Sequence, residues 1–430
     1  MKKVLGLSLV LVMVLSLAAC GGNSGSGETK KTDAQTNAAD TSAAETKPAE
    51  TDAAATDAAD TSAADNTQAP AATGDTAEFV IGGMGPLTGA AASYGISVKQ
   101  GAEVAVKEIN DAGGVVVGGT TYTLKLEFAD DEAAEDKAVN AYNSLLDKKI
   151  NALVGATTSG ASIAIGDMTY SDGLLQVTPS GSAQDCAKNP NQFRICFTDT
   201  LQGETMADFV YNELGYRKLA VLYSNSSDYG VGNKDAFNAK FAELGGEIVV
   251  TEAFVDEDVD FNTQLTKIKS TDAEAIFVAG YYQAATYITK QAKDMGLTLP
   301  FLGSDGWDGV LGTVTDPATV EGAIFLSPFF AADTSERVVK FVEAYKAAYN
   351  ATPDQFAADS YDAVFAIKAA MEKAGSIESA DLIAAMPEIS FEALTGAGAP
   401  ITFTVDGEPN KEAMFIQIID GQYTDYFAGK

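Results

Sequence analysis

Two stretches of small hydroxyl residues and three of tyrosine and aspartate are where this sequence could do chemistry. The first pair is Ala156-Thr157-Thr158-Ser159-Gly160-Ala161-Ser162 and Pro179-Ser180-Gly181-Ser182-Ala183. Each lies between a short apolar run and a segment of helical pattern. The free N–H groups and positive dipole end of such a helix start attract a carboxylate. Helix capping by the same Ser and Thr residues is the competing reading of each loop, and the succession of two favours a ligand. The second set is Ser227-Asp228-Tyr229-Gly230, Gly280-Tyr281-Tyr282 and Gly303-Ser304-Asp305-Gly306-Trp307-Asp308. A carboxylate set between glycine and tryptophan can take a ligand ammonium, and tyrosine rings can enclose an apolar side chain while their hydroxyls hydrogen-bond. Taken singly, each tyrosine reads as packing; their joint placement is what points to a site.

Other chemistries are excluded more directly. The chain has no histidine, which removes Ser-His-Asp and Cys-His catalysis, imidazole metal sites and the usual general base near neutral pH. No metal and no cofactor is expected. Gly82-Gly83-Met84-Gly85-Pro86-Leu87-Thr88-Gly89 follows an apolar run, but its spacing departs from a dinucleotide fingerprint and Pro86 interrupts it. Glycine there suits a tight loop beside a ligand. A formal charge of −32 argues against nucleic acid, whose phosphates require basic surface, and suits solubility. Asp228 and Asp305 stand singly in glycine-flanked loops rather than as the paired acids of a hydrolase.

The elements that must carry these loops are legible from residue 78 onward. Apolar runs rich in β-branched residues occupy 79–84, 122–129, 152–155, 174–178, 219–223, 247–254, 275–279, 301–303, 323–327 and 414–419. Amphipathic stretches lie between most of them. Val98, Ala102, Ala105 and Ile109 mark one helical face that Asn110-Asp111-Ala112-Gly113-Gly114 stops, and Val139, Tyr142, Leu145 and Leu146 mark another. Alternation of this kind predicts parallel α/β sheets covered on both faces. The loops singled out fall at strand C-terminal ends, where open α/β sheets bind ligands. About 350 residues of the pattern exceed one comfortable core, so two α/β lobes are expected.

The beginning of the chain fixes the compartment. Met1-Lys2-Lys3 and the apolar run to Ala19 have the form of an export signal (1–19), too short for a membrane span. Leu17-Ala18-Ala19-Cys20 resembles the lipobox of bacterial lipoproteins, so Cys20 is the expected lipid attachment site, with acyl burial favouring anchoring by about 0.8 kcal/mol per methylene. Residues 20–77 are read as the lipidated cysteine and an extended acidic tether, since from 21 to 76 there is no aromatic residue, Val, Ile or Leu. In an oxidising compartment Cys186 and Cys196 are expected to form a disulfide, with two separate buried thiols as the alternative.

In this order, the residues resemble the branched-chain amino-acid-binding proteins of bacterial transport systems, the leucine/isoleucine/valine type. The resemblance runs through Gly85-Pro86-Leu87-Thr88-Gly89, Tyr94-Gly95, Gly101-Ala102-Glu103, Glu108 to Gly114, Asp130-Asp131, Gly155 to Ser159, Thr178-Pro179-Ser180, Phe193-Arg194, Gln202-Gly203, Asp228 to Gly232, Asp260-Phe261 and Gly303 to Gly306. It implies the type I periplasmic-binding-protein fold: two Rossmann-like lobes with parallel sheets, joined by a three-crossing hinge. The lobes would be 78–198 plus 328–405 and 199–327 plus 406–430. By the same resemblance Ser159 and Ser182 would bind a ligand α-carboxylate, Ser180 (through its backbone) and Asp305 the ammonium, and Tyr94, Tyr229 and Tyr281 would line the side-chain pocket, with Tyr282 as the alternative to Tyr281. Ser182 stands where threonine is common, Ser180 where alanine is common, and Asp305 where some members carry glutamate.

The expected function is that of an extracytoplasmic binding protein, not an enzyme, held to the outer face of the cell membrane by its lipid. It would capture an amino acid, branched-chain or similarly small and apolar, and deliver it to an ABC permease and its ATPase. The alternative is a ligand-sensing receptor of the same fold for amides or other amino-acid-like solutes.

Overall fold

The structure, a computed structural model, describes residues 74–396 and 398–428. The expected signal segment, Cys20 and nearly all of the expected tether lie outside the described residues.

Two sheets organise the body. The first has the order β2-β3-β1-β4-β5-β6 and is built from β1 (Thr76–Gly85), β2 (Val115–Val117), β3 (Thr120–Asp130), β4 (Ala152–Val154), β5 (Gln176–Thr178) and β6 (Gln192–Arg194). All its pairings are parallel except β2 with β3. The second has the order β15-β14-β11-β10-β9-β7-β8, from β7 (Lys218–Ser224), β8 (Glu247–Phe254), β9 (Ala275–Ala279), β10 (Phe301–Gly303), β11 (Ile324–Ser327), β14 (Met414–Ile419) and β15 (Gln422–Asp425). Here the β11–β14 and β14–β15 pairings are antiparallel and the rest parallel. A small hairpin pairs β12 (Ser390–Glu392) with β13 (Pro400–Thr402). The expected α/β class with parallel-dominated sheets in two lobes is what the chain adopts.

The helices are α1 (Ala92–Asp111), α2 (Glu135–Leu146), α3 (Ser159–Ser171), α4 (Asp199–Asp208), α5 (Asp228–Glu243), α6 (Asn262–Lys269), α7 (Tyr282–Asp294), α8 (Glu336–Tyr349), α9 (Gln355–Ala374) and α10 (Ser379–Ala385). Each sheet is apolar on both faces because helices cover both. Residues of α1, α8, α9 and α10 join Phe79, Ile81 and Val154 in one core, while α2 and α3 close the opposite face around Met84, Tyr142 and Ile165. The second sheet buries Ala275-Ile276-Phe277-Val278-Ala279 completely, with cores on its two sides around Trp307 and Phe237. Burying such a Phe or Ile contributes about 1.5–3 kcal/mol each.

α1 buries Val98, Ala102, Ala105 and Ile109, as its pattern predicts, and ends where Gly113 (φ 105°) and Gly114 (φ 80°) leave the helical region. Gly101 is a second sequence signal: a Cβ there would lie 2.0 Å from the Ala357 carbonyl. Only glycine allows α1 and α9 to approach so closely.

The chain passes from the first sheet to the second between β6 and α4, returns after β11 to α8–α10, and passes over again between β13 and β14. Buried charges brace these connections. Lys411 Nζ lies 2.8 Å from Asp359 Oδ1, and Arg194 Nε lies 3.0 Å from Glu408 Oε2. Lys411, Asp359 and Arg194 are stripped of water while Glu408 stays partly exposed, and removing one member of the fully buried Lys411–Asp359 pair costs several kcal/mol, about 3–5.

Candidate functional site

The expected site loops all emerge at the C-terminal ends of strands: after β1, β4 and β5 of the first sheet, and after β7, β9 and β10 of the second. They meet around one narrow cavity of about 10 Å3 lined by Tyr94, Thr157, Thr158, Ser159, Ser180, Tyr229, Tyr281, Asp305, Gly306 and Phe356. That space is about what one water molecule needs, so the walls of the site lie nearly closed on one another.

On one side stands the start of α3. Ser162 N–H donates to the Thr158 carbonyl, leaving the preceding N–H groups of the helix at the cavity wall. The capping reading fails for this loop. Thr158 at the N-cap makes no cap bond, and Ser159 Oγ instead accepts from Ala183 N–H at 3.1 Å. Ser180 Oγ donates to the Thr157 carbonyl at 2.6 Å, tying the two hydroxyl loops together. Capping does hold elsewhere: Ser227 Oγ accepts from Gly230 N–H and Thr198 Oγ1 from Leu201 N–H.

On the other side stands Asp305, 4% exposed. Tyr229 Oη donates to its Oδ1 at 2.9 Å and accepts from Gly306 N–H at 2.8 Å. Its own N–H donates to Gln202 Oε1 at 3.0 Å. Burial pushes the Asp305 carboxyl up to about 6, with the Tyr229 and Gln202 side chains pulling the other way. At neutral pH it is therefore an anion close to its point of protonation.

The aromatic wall is tied together by hydrogen bonds and ring contacts. Tyr94 Oη donates to the Gly306 carbonyl at 2.5 Å and accepts from Tyr282 N–H at 3.1 Å. Its ring meets Tyr281 edge-on at 5.4 Å and packs tilted against Phe356 at 4.2 Å. Tyr229 and Tyr281 stack with centroids 5.1 Å apart. Tyr281, not Tyr282, lines the cavity; Tyr282 backs Tyr94 from behind at 4.9 Å.

Of the residues singled out in the sequence, Tyr94, Ser159, Ser180, Tyr229, Tyr281 and Asp305 come together here. Ser182 does not line the cavity. It is fully buried behind the loop, where Arg194 Nη1 takes the carbonyls of Gly181, Ser182 and Ala183 at 3.1, 2.9 and 2.8 Å. Asp228 faces a separate acidic depression with Glu132, Glu135, Asp256 and Glu257, so it forms no acid pair with Asp305.

The disulfide expectation is corrected. Cys186 and Cys196 are free, buried thiols. Cys186 Sγ turns toward the Ser159 carbonyl, 3.6 Å away, whereas Cys196 lies in the electrostatic field of Arg194, Asp359, Asp305 and Lys411. Burial raises both thiols, Cys186 to about 12, so neither is a ready nucleophile.

The sequence singles out neither Phe356 nor Gln355 at the start of α9, whose Gln355 Nε2 donates to the Asp305 carbonyl at 2.5 Å, and it names Arg194 of β6 only within the Phe193-Arg194 match, without a role. Pro353-Asp354 was the available signal for the first two, since Asp354 caps α9 through Ala357 N–H at 3.0 Å. Among the described residues no cluster of three or more metal-ligating side chains occurs, and no helix is long and apolar enough to cross a membrane.

A family model described as periplasmic binding protein matches residues 78–422. The Leu/Ile/Val-binding protein homolog 3 of Brucella melitensis is 33% identical over 311 residues, 72% of this chain and 82% of that protein. The Leu/Ile/Val-binding protein BraC3 of Rhizobium johnstonii is 32% identical over 334 residues, 77% and 89% of the two chains. Among solved structures, the branched-chain amino acid transporter substrate-binding protein LivJ of Streptococcus pneumoniae, in complex with isoleucine, has a TM-score of 0.74 at 30% identity, covering 81% of this chain and 98% of that one.

Proposed function

From the chain's membership of the periplasmic binding protein family, we propose that it captures a small amino acid, branched-chain or similarly apolar, between its two lobes and delivers it to an ABC permease and its ATPase. It is a binding protein of transport and not an enzyme. The observation that carries the ligand class is the opposition of Asp305 to the start of α3 across a tyrosine-lined cavity. An amino acid is a zwitterion. Its ammonium would meet the Asp305 carboxylate, and its carboxylate the N–H groups of α3 with Ser159. Its side chain would lie against Tyr94, Tyr229, Tyr281 and Phe356. The Ser180 backbone is assigned to the ammonium; Ser182, expected from the resemblance to bind the carboxylate, lies behind the loop and is given no contact with it.

The lobes are assigned as 78–198 plus 328–405 and 199–327 plus 406–430. The mechanism is closure: charge partners on different lobes are satisfied together only when the lobes approach, so a ligand binding both stabilises the closed form. Cys20 is assigned as the lipid attachment site that holds the protein at the outer face of the membrane, which would keep captured ligand near the permease.

Calorimetric titration of the purified protein with the twenty common amino acids tests the ligand class. Binding tighter than about 1 mM to at least one apolar amino acid is expected; the absence of such binding to all twenty would remove the ligand class.

A further inference from the structure

Four residues with aliphatic hydroxyls line the cavity near the start of α3: Thr157, Thr158, Ser159 and Ser180. Three of these hydroxyls are engaged by the protein itself. Thr157 Oγ1 donates to the Met84 carbonyl at 3.1 Å, and Ser180 Oγ to the Thr157 carbonyl at 2.6 Å. Ser159 Oγ accepts from Ala183 N–H at 3.1 Å. Thr158 differs from all three: its Oγ1 is buried with no hydrogen-bond partner, and the residue is only 6% exposed.

An orphaned hydroxyl at this position is unexpected on two counts. A buried polar group left unpaired is costly, so native proteins keep few of them. Thr158 is also the N-cap of α3, where a threonine side chain ordinarily accepts from the second or third helical N–H. Its backbone is extended (φ −92°, ψ 153°), as a cap requires, yet no cap bond forms. Helix bonding begins where Ser162 N–H donates to the Thr158 carbonyl, so the N–H groups of Ser159, Gly160 and Ala161 have no acceptor within the helix. Unspent N–H donors beside an unspent hydroxyl match an anion, and a carboxylate can accept from both. Ser182, to which the resemblance gives that carboxylate, does not line the cavity, whereas Thr158 does. Thr158 also borders the acidic depression of Glu132, Glu135, Asp228, Asp256 and Glu257. None of those five acids lines the cavity, so an anion seated on α3 lies inward of them.

We propose that Thr158 is a binding residue of the amino-acid site: its Oγ1 hydroxyl donates to the ligand carboxylate seated over the start of α3, the contact that the resemblance gives to Ser182. The inference rests on the amino-acid reading above.

The test uses the whole chain and, as probe, whichever of the twenty common amino acids it binds most tightly. A chain that binds none removes the underlying reading and the inference with it; with a chain that binds, the variants decide the inference alone. Thr158→Val keeps the side-chain shape and removes the hydroxyl, and Thr158→Ser keeps the hydroxyl. Calorimetry at neutral pH should find Thr158→Val weaker by about fivefold or more, the least expected for loss of a hydrogen bond to a charged group, and Thr158→Ser weakened less than Thr158→Val. Melting of the ligand-free proteins separates binding from a structural role. Since the hydroxyl has no partner in the protein, ligand-free Thr158→Val should melt at or above the temperature of the unmodified chain; a hydroxyl that capped α3 would make the same variant melt lower. A loss below about fivefold in Thr158→Val, an equal loss in Thr158→Ser, or a ligand-free Thr158→Val that melts lower or fails to fold would each overturn the proposal. So would a crystal structure of the complex with Thr158 Oγ1 beyond about 3.5 Å from both ligand carboxylate oxygens.

Discussion

Asp305 must be charged to hold an ammonium, yet burial has brought its carboxyl up to about 6. The sign of the pH dependence follows. Above about pH 7 the group is an anion and affinity is constant, because a free ligand ammonium keeps its proton well into the alkaline range. Below about 6 the carboxyl takes up a proton, and affinity should fall by up to about tenfold per pH unit. Calorimetry between pH 5 and 8 reads this directly, and affinity that rises toward pH 5 would contradict the assignment. Asp305→Ala should weaken binding by about 100-fold or more at pH 7.5, since it removes the partner of a desolvated charge. At this scale the sequence was informative where a residue type announces its chemistry. Ser159 and Tyr229, in the first turns of α3 and α5, and Asp305 after β10 each stand beside a glycine just beyond a strand's C-terminal end. Ser182 was harder to place, because two residues beyond Ser180 the loop has already turned beneath the Arg194 guanidinium. The thiols were misjudged for a related reason: spacing along the chain does not tell which way a side chain faces, and these two face different neighbours.

The elements that aim these residues are the long periodic ones. β8, β9, β10 and β14 have the bounds that their apolar runs predict, and α1 ends at its glycine pair. The pieces that escaped are three or four residues long. β6 reads Gln-Phe-Arg, a strand only because its neighbours supply the pairing, and β2, β12, β13 and β15 are similarly short. α9 matters most for the site, since its first turn delivers Gln355 and Phe356, and its distance in sequence from the strand loops hid that role. Its seating depends on Gly101. Gly101→Ala would drive a methyl into the Ala357 carbonyl and toward Ser360 Oγ, 2.5 Å away. Destabilisation of about 1–3 kcal/mol is expected, seen as a lower urea midpoint with an unchanged slope. An unaltered midpoint would mean that the α1–α9 approach is looser than described.

For the whole molecule, length and alternation were enough to anticipate two sheets, and the absence of histidine was enough to set aside most enzymatic readings. What sequence alone does not reveal is how the sheets are bound together. The connections carry buried Arg194, Lys411, Asp359 and Asp199, charged side chains that composition would assign to the surface. They make sense once the second sheet is seen to recruit β14 and β15 from the end of the chain. The claim that stands above these details is that an amino acid lies between the lobes, gripped at both charges. A crystal structure of the protein with the amino acid it binds most tightly tests this most directly. The ligand nitrogen should lie within about 3.2 Å of an Asp305 carboxylate oxygen, with its carboxylate against Ser159 and the start of α3 and its side chain among Tyr94, Tyr229, Tyr281 and Phe356. A ligand bound outside this cavity, or one whose ammonium points away from Asp305, would contradict the account.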